Sequence, residues 1–153
     1  MPTSLVTQLS VNRTDLFNIM KDVKSYPSYF PNTYVSVDII NKTGNVFYTN
    51  EVITYNGITK PLIVKHTILP YDKQITEVVD GVAKGTVITT TFKDSTGGTK
   101  VRVDMNIHIK GVLILPGMAP KNGFEGAADS FLNSFVTIAH QNGSAITSAS
   151  IKK

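Results

Sequence analysis

The sequence predicts an α+β domain in which a seven-stranded antiparallel sheet packs against one long C-terminal helix. Three observations support this fold class. Apolar and polar residues alternate through much of residues 33–111, which is typical of strands that bury one face. An Asn56-Gly57 pair separates two β-branched runs and is the strongest hairpin signal in the chain. Beyond Pro120, apolar residues keep helical spacing for about five turns.

The N-terminal residues predict a strand and then a helix. Residues 5–11 alternate as a first strand, and Asn12 can cap the helix that follows it. Asp15 places a negative charge near the positive end of the helix dipole. The helix carries one apolar stripe, formed by Leu16, Ile19, Met20 and Val23. Pro27 and Pro31 then leave room for a short second helix only.

The Asn56-Gly57 turn fixes the register of its hairpin, because a two-residue turn pairs the flanking residues directly. Tyr55 then faces Ile58, and the pairs continue in order to Phe47 opposite His66. We expect one face of this hairpin to point toward the core. That face carries Phe47, Thr49, Glu51, Ile53, Tyr55, Ile58, Lys60, Leu62, Val64 and His66.

The rest of the sheet and its covering helix follow from the same patterns. Strands are predicted at residues 74–82 and 84–93, and the last strand has the clearest alternation, with Val101, Val103, Met105, Ile107 and Ile109 on its inward face. The apolar face of the last helix is formed by Phe124, Ala127, Ala128, Phe131, Leu132, Phe135, Ile138 and Ala139. We expect a single domain over residues 1–142 and a flexible tail over residues 143–153.

Composition restricts the classes of function. The absence of cysteine excludes disulfides, Fe–S ligation and a thiol nucleophile. No apolar run reaches the roughly 18 residues needed to span a bilayer, and the N-terminus lacks the pattern of a signal peptide. We therefore expect a cytoplasmic protein without a transmembrane segment.

The net charge of +4 raises the question of a nucleic-acid partner. Because the lysines are scattered and there are only two arginines, the charge favours a solubilising surface, and we expect no DNA partner. The three histidines lie far apart in sequence and lack the spacing of zinc ligands. With no phosphate-binding loop or dinucleotide fingerprint, we expect no metal and no cofactor.

The segment DLFNIMKDVKSYPSYFP contains Asp22-Val23, Tyr26-Pro27 and Phe30-Pro31. With one extra residue in its spacing, it resembles the D-V-x-x-Y-P-x-F-x-P signature of the polyketide cyclase/dehydrase and coenzyme Q-binding branch of the START-like helix-grip superfamily, also called SRPBCC. The resemblance covers about residues 4–141. It implies a curved sheet gripping the long helix, with a ligand cavity between them.

The resemblance also implies an entrance between the aromatic segment after the first helix and the apolar segment before the last one. Tyr26, Tyr29, Phe30 and Tyr34 either line this entrance or pack the short helix on the sheet. The residues that we expect to bind a ligand line the cavity or its entrance: Tyr26, Tyr29, Phe30, Phe47, Glu51, Ile53, Lys60, Leu62, Val64, His66, Met105, Leu113, Leu115, Met118, Phe124, Ala128, Phe131 and Phe135.

Three of these residues, Glu51, Lys60 and His66, are polar and lie on the inward hairpin face. A buried charge must be paired or hydrated, and Glu51 lies diagonal to Lys60 in the predicted register. The two either form a structural ion pair near solvent or orient the polar end of a ligand. His66 is either a satisfied core residue or a general acid/base, for which Glu51 and Tyr55 are the candidate partners.

Three hypotheses for function remain open. The first is binding or transport of a hydrophobic small molecule, such as a lipid, an isoprenoid or quinone, or a polyketide-like compound. The second is a cyclase or aromatase-type enzyme that uses the same cavity. The third is an interaction protein, because part of this branch resembles ribosome-associated toxins and the basic charge suits an RNA-rich partner. Transient contact with a membrane or a ribosome fits these hypotheses.

Overall fold

The computed structural model of the chain describes residues 2–55, 57–109 and 121–151, and it describes their side chains except for Tyr55, residues 121–124 and residues 142–151. The strands are β1 (Pro2–Leu9), β2 (Tyr34–Thr43), β3 (Val46–Tyr55), β4 (Ile58–Leu69), β5 (Lys73–Asp80), β6 (Val87–Ser95) and β7 (Gly98–Asn106). The helices are α1 (Arg13–Lys21), α2 (Tyr26–Tyr29) and α3 (Lys121–Ile151), with a 3₁₀ turn at Val23–Ser25.

The strands form one antiparallel sheet in the order β1-β7-β6-β5-β4-β3-β2. The first strand therefore pairs with the last, and α1 and α2 carry the chain from one edge of the sheet to the other. The predicted seven-stranded antiparallel sheet is confirmed. None of the helices within the described part of the chain is long and apolar enough to cross a membrane.

The hairpin of β3 and β4 has the predicted register, from Tyr55 opposite Ile58 to Phe47 opposite His66. Its central inward positions are buried: Phe47, Thr49, Glu51, Leu62, Val64 and His66. Lys60 is exposed, although we predicted that it points toward the core. The reason is that β5 pairs with β4 only from Ile63 onward, so the turn end of the hairpin projects beyond the rest of the sheet.

Several strand boundaries differ from the prediction. β5 ends at Asp80 rather than at residue 82, and β6 spans Val87–Ser95 rather than residues 84–93. β1 ends at Leu9 rather than at residue 11, and β7 ends at Asn106 although its alternation continues to residue 109. Asn106 pairs with the first residue of β1 and with the first residue of β6, so both neighbouring strands begin opposite this position and their ladders with β7 end there. The helical backbone of α3 extends to Ile151, and the flexibility of residues 143–153 stays a prediction.

The predicted cap of α1 is confirmed. The backbone N–H of Asp15 donates to Asn12 Oδ1 across 2.9 Å, which satisfies one of the donors left free at a helix start. α1 buries Leu16, Phe17 and Met20 against the sheet. Its position sets one wall of the space between the sheet and α3.

Aromatic rings from α2 and α3 fill much of that space. Phe30 stacks on Phe131 with 4.8 Å between ring centroids, and Tyr26 contacts Phe131 and Phe135 edge-on or tilted. Phe135 is fully buried and belongs to the main core. At the sheet edge, Thr3 Oγ1 donates to Glu125 Oε1 across 2.7 Å and ties α3 to β1.

Candidate functional site

A cavity of about 120 Å³ lies between the sheet and α3. Side chains from α1, the 3₁₀ turn, α2, α3 and five strands line it. Its apolar wall includes Met20, Val23, Ile68, Ile88 and Phe131. Its polar side chains include Tyr34, Glu51, His66, Gln74, Thr76 and Thr90. The lining is therefore mixed, with the polar groups mainly on the sheet.

A cluster of three hydrogen-bonded side chains stands on the sheet face of this cavity. Glu51 Oε2 accepts a hydrogen bond from His66 Nε2 across 2.8 Å and one from Thr49 Oγ1 across 2.6 Å. Glu51 and His66 are each only 5% exposed, and Thr49 is fully buried. Two hydrogen bonds to one carboxylate oxygen offset part of the free-energy cost of removing the carboxylate from water.

Phe47 packs against the imidazole ring of His66. Its ring stacks on the His66 ring with 4.7 Å between centroids and 16° between planes. The two residues are direct partners across β3 and β4, so the backbone register fixes the stack. Packing on one side and the bond to Glu51 on the other restrict the orientation of His66, which is what a pre-organised polar site requires.

Tyr34 lines the same cavity from the edge strand β2. Burial raises the pKa of its phenol well above the ordinary range, and the negative charge of Glu51 raises that pKa further. The phenol is therefore neutral at physiological pH and keeps its proton for hydrogen bonding. Glu51, His66 and Tyr34 together give the cavity an acceptor and donors of hydrogen bonds.

Tyr26 has a different role from Tyr34. Burial first, and the charges of nearby groups second, raise the pKa of its phenol as well. Its hydroxyl donates to the backbone carbonyl of Met20, so it ties α2 to the end of α1. Its ring lines the cavity.

The structure places the predicted ligand-binding residues in several environments. Four of them line the cavity: Tyr26, Glu51, His66 and Phe131. Others pack in or against the main core without lining this cavity: Tyr29, Phe30, Met105, Ala128 and Phe135. Leu62, Val64 and the half-buried Ile53 belong to a second, smaller cluster around Val78. Their contribution to ligand binding stays a prediction.

The predicted contact between Glu51 and Lys60 is wrong. Lys60 is exposed at the projecting end of the hairpin, and the Glu51 carboxylate instead bonds Thr49 and His66. Leu113, Leu115 and Met118, predicted to form an apolar lip at the entrance, lie outside the described residues. The side chains of Phe124 and Tyr55 lie outside the described part of the chain as well.

Sequence reasoning missed several cavity residues. Gln74, Thr76 and Thr90 occupy inward positions of β5 and β6, and Thr49 completes the polar cluster. A signal was available, because polar residues at alternating inward positions are unusual in a strand that packs on a core. The sequence places Tyr34 next to the aromatic residues of the entrance, and its approach to Glu51 is a tertiary contact.

Metal binding finds no support in the described ranges 2–55, 57–109 and 121–151. They contain no group of three or more His, Cys, Asp or Glu side chains that could hold a metal ion. His108 is exposed, and His140 Nε2 lies 3.1 Å from the Ser10 carbonyl, so neither is close to the cluster of Glu51 and His66.

Solved structures resemble this chain over nearly its whole length. The aromatase/cyclase Zhui from Streptomyces sp. R1128 aligns with a TM-score of 0.74 and 10% identity, covering 92% of this chain and 94% of its own. A START superfamily protein from Mycobacterium smegmatis aligns with a TM-score of 0.74 and 14% identity, covering 92% and 97%. The protein TTHA0849 from Thermus thermophilus aligns with a TM-score of 0.76 and 12% identity, covering 93% and 99%.

At these identities the structures show the fold alone, and the fold is the predicted START-like helix-grip. A search of curated protein sequences gives no significant match. One family model does match, over residues 9–136, and it describes polyketide cyclases/dehydrases and lipid transport proteins. That range includes α1, α2, every strand from β2 to β7 and the part of α3 that faces the cavity. The chain therefore belongs to the polyketide cyclase/dehydrase and lipid transport family.

Proposed function

We propose that this protein binds a hydrophobic small molecule that carries an uncharged hydrogen-bonding group, such as a phenol or an enol. The observation that supports this most directly is that Glu51, His66 and Tyr34 line the same cavity as the apolar side chains of Met20, Val23, Ile68, Ile88 and Phe131. Fixed polar groups beside apolar walls are typical of small-molecule sites. The family description, which includes lipid transport, agrees with a hydrophobic ligand.

The size of the cavity restricts the part of the ligand that enters it. An apolar protein cavity of about 150 Å³ holds a benzene molecule, and the cavity here measures about 120 Å³. The cavity is thus slightly smaller than one that holds benzene, so a single ring or a short chain is the upper limit of what enters it, and a ring requires small shifts of the wall side chains. The hydroxyl of that ring would donate to the Glu51 carboxylate, whose Oε2 already accepts from Thr49 and His66, or accept from the Tyr34 hydroxyl. Leaving the Tyr34 hydroxyl unpaired after water is displaced would cost about 1–3 kcal/mol.

The test compares p-cresol with toluene, which has nearly the same shape but lacks the hydroxyl. Binding is measured by calorimetry and located by amide chemical shifts. We expect p-cresol to bind at least tenfold more tightly and to shift resonances of β3, β4 and β6. Glu51→Gln and Tyr34→Phe should each reduce that preference, whereas Glu77→Gln, outside the cavity on β5, should not. Equal affinity for p-cresol and toluene would contradict the proposal.

A cyclase or dehydratase is the second candidate, and the pairing of a carboxylate with a neutral phenol in one cavity favours it. Glu51 would accept the proton from a carbon between two carbonyl groups, and Tyr34 would donate a hydrogen bond to the enolate oxygen that forms. The enolate carbon would then attack a second carbonyl of the same chain, and protonated Glu51 would give its proton to the alkoxide that forms. In the dehydration, Glu51 would take the remaining proton from the same carbon and pass it to the departing hydroxyl, which leaves as water. A poly-β-ketone substrate tests this: Glu51→Gln should abolish turnover while p-cresol binding weakens only modestly.

A further inference from the structure

A second concavity, an open groove of about 470 Å³, lies outside the cavity between the end of α1 and the turn that joins β2 to β3. Its volume falls within the range of about 300–1,000 Å³ that is usual for small-molecule sites. The apolar part of its surface comes from Val23, Ile39, Phe47, Ile68 and Pro70. Its charged side chains are Lys21, Asp22, Lys24 and Lys42.

The charge of the groove is positive, with three lysines against one aspartate, 3 − 1 = +2. Asp22 accepts a hydrogen bond from Ser25 Oγ across 2.7 Å, so its carboxylate already has a partner. Lys24 donates to the Val37 carbonyl across 3.1 Å and lies 3.6 Å from Asp38. Lys21 and Lys42 form no ion pair with any residue in the described parts of the chain.

The apolar side of the groove is open to solvent. Ile39 is 48% exposed and Ile40, its neighbour on the edge strand β2, is 56% exposed. Ile40 occupies a bulge, because Ile39 pairs with Thr49 and Asn41 pairs with Tyr48. An edge strand usually carries charged residues that discourage association, and an exposed apolar patch marks a surface that interacts with another molecule. Ile39, which lines the groove together with Lys42, lies in such a patch.

We propose that this groove binds an amphiphile with a single anionic head group, a fatty-acid carboxylate or an alkyl phosphate. The ammonium groups of Lys21 and Lys42 would face the head group, and the alkyl chain would cover the exposed Ile39 and Pro70. Phe47 and Ile68, each 9% exposed, would form the floor beneath it. A neutral alkyl chain would contact only the apolar residues of the groove, and a free anion would contact only its lysines. This site is additional to the cavity of the proposed function, with which it shares the wall residues Lys21, Val23 and Ile68.

The experiment measures binding of dodecanoate, dodecyl phosphate, dodecanol and inorganic phosphate by calorimetry at low and at high ionic strength. We expect both anionic amphiphiles to bind about tenfold more tightly than dodecanol at low ionic strength, and inorganic phosphate to show no measurable binding. Salt should reduce the difference, because exposed charges are screened. Binding of inorganic phosphate alone with the affinity of dodecyl phosphate would overturn the proposal in favour of a plain anion site.

The double variant Lys21→Gln/Lys42→Gln should lower the affinity for dodecanoate to that for dodecanol. The control Lys93→Gln/Lys100→Gln removes the same charge from an exposed cross-strand pair of β6 and β7 and should leave binding unchanged. Equal losses in the two double variants would overturn the proposal. Thr90→Leu, which fills the cavity, should block p-cresol without affecting dodecanoate, so failure of the cavity site and failure of the groove site give different results.

Discussion

Glu51 Oε2 and His66 Nε2 are 2.8 Å apart, although Glu51 faces Leu62 across the strands and His66 lies four residues farther along β4 (66 − 62). The hydrogen bond passes over the Thr49 and Val64 pair that separates them, and Thr49 Oγ1 joins it. Two neighbouring strands thus supply a buried carboxylate and a buried imidazole that lean toward each other along the face that lines the cavity.

A double-mutant cycle tests this contact. Glu51→Leu and His66→Leu should each lower the free energy of unfolding by about 3 kcal/mol, because each leaves the other buried side chain with Thr49 as its remaining partner in the cluster. The variant that carries both changes should lose less than the sum, since it leaves neither partner buried alone. Urea unfolding gives the three values. Additivity within about 0.5 kcal/mol would show that the two side chains are not coupled.

Alkaline pH tests the burial of Tyr34. Its pKa is raised in the folded state above the ordinary value of 10.0, so the unfolded chain loses this proton first as pH rises. The stability that the neutral phenol contributes is complete below pH 10 and is lost above it. The free energy of unfolding should therefore fall above pH 10, and Tyr34→Phe should reduce that slope by up to about 1.4 kcal/mol per pH unit.

Tyr26→Phe is the comparison for that measurement. It removes a buried hydrogen bond to the Met20 carbonyl, so it should cost about 1 kcal/mol at neutral pH as well. Tyr34→Phe should cost less at neutral pH. An unchanged alkaline slope in Tyr34→Phe would show that this phenol ionises while the protein is folded.

Filling the cavity should separate binding from stability. Thr90→Leu adds apolar volume at a buried position of the cavity wall and should lower p-cresol affinity at least tenfold. Stability should stay within about 1 kcal/mol, because the added carbons occupy existing space. Thr91→Leu places the same side chain on the opposite face of β6 and should leave p-cresol binding unchanged. If Thr90→Leu keeps the p-cresol affinity of the unmodified protein, p-cresol binds outside this cavity.

The two phenylalanines of α3 should respond differently to truncation. Phe135 is fully buried, so Phe135→Ala should cost about 3–5 kcal/mol in thermal or urea unfolding. Phe131 is half-buried and lines the cavity, so Phe131→Ala should cost less and should enlarge the space available to ligands. Phe131→Ala should then bind ligands larger than p-cresol that the unmodified protein excludes. Equal destabilisation by the two changes would contradict this division.

Two glycines give a matched test of the backbone. A Cβ added at Gly98 would lie 2.0 Å from the Leu9 carbonyl oxygen, whereas one added at Gly126 of α3 meets nothing within 4 Å. Gly98→Ala should therefore separate β1 from β7 and cost several kcal/mol, about the range of the largest single-residue effects. Gly126→Ala should raise stability by about 0.5–1 kcal/mol through helix propensity. Circular dichroism melting curves measure both.

Local patterns were sufficient for much of the fold. The Asn56-Gly57 turn predicted every pair of the β3 and β4 hairpin, because a two-residue turn leaves one register. Asn12 predicted the start of α1 through its side-chain oxygen. The burial of Val101, Val103 and Met105 followed from strict alternation. In each of these cases the determining contacts lie within a few residues of one another or across one turn.

The candidate site was only partly predictable. The inward face of the hairpin correctly contained Glu51 and His66, but diagonal pairing suggested Lys60 as the partner of the carboxylate. The rule for diagonal neighbours applies to residues of two paired strands that are offset by two positions on the same face. The contact between Glu51 and His66 depends on how the strands are arranged in the whole sheet. So does the approach of Tyr34 to Glu51, because a bulge after Tyr34 interrupts the pairing of β2 with β3.

The sequence by itself determined the number of strands, the central hairpin register, the cap of α1 and the burial of Leu132 and Phe135 on α3, since periodicity and turn chemistry act over short distances along the chain. Ala127, predicted on the same face of α3, is exposed. Only the tertiary structure decided that β1 closes against β7, that β5 leaves Lys60 in solvent, and that Glu51, His66 and Tyr34 share one cavity. These outcomes depend on which distant strands and helices compete for the same buried surface, and no local pattern carries that information.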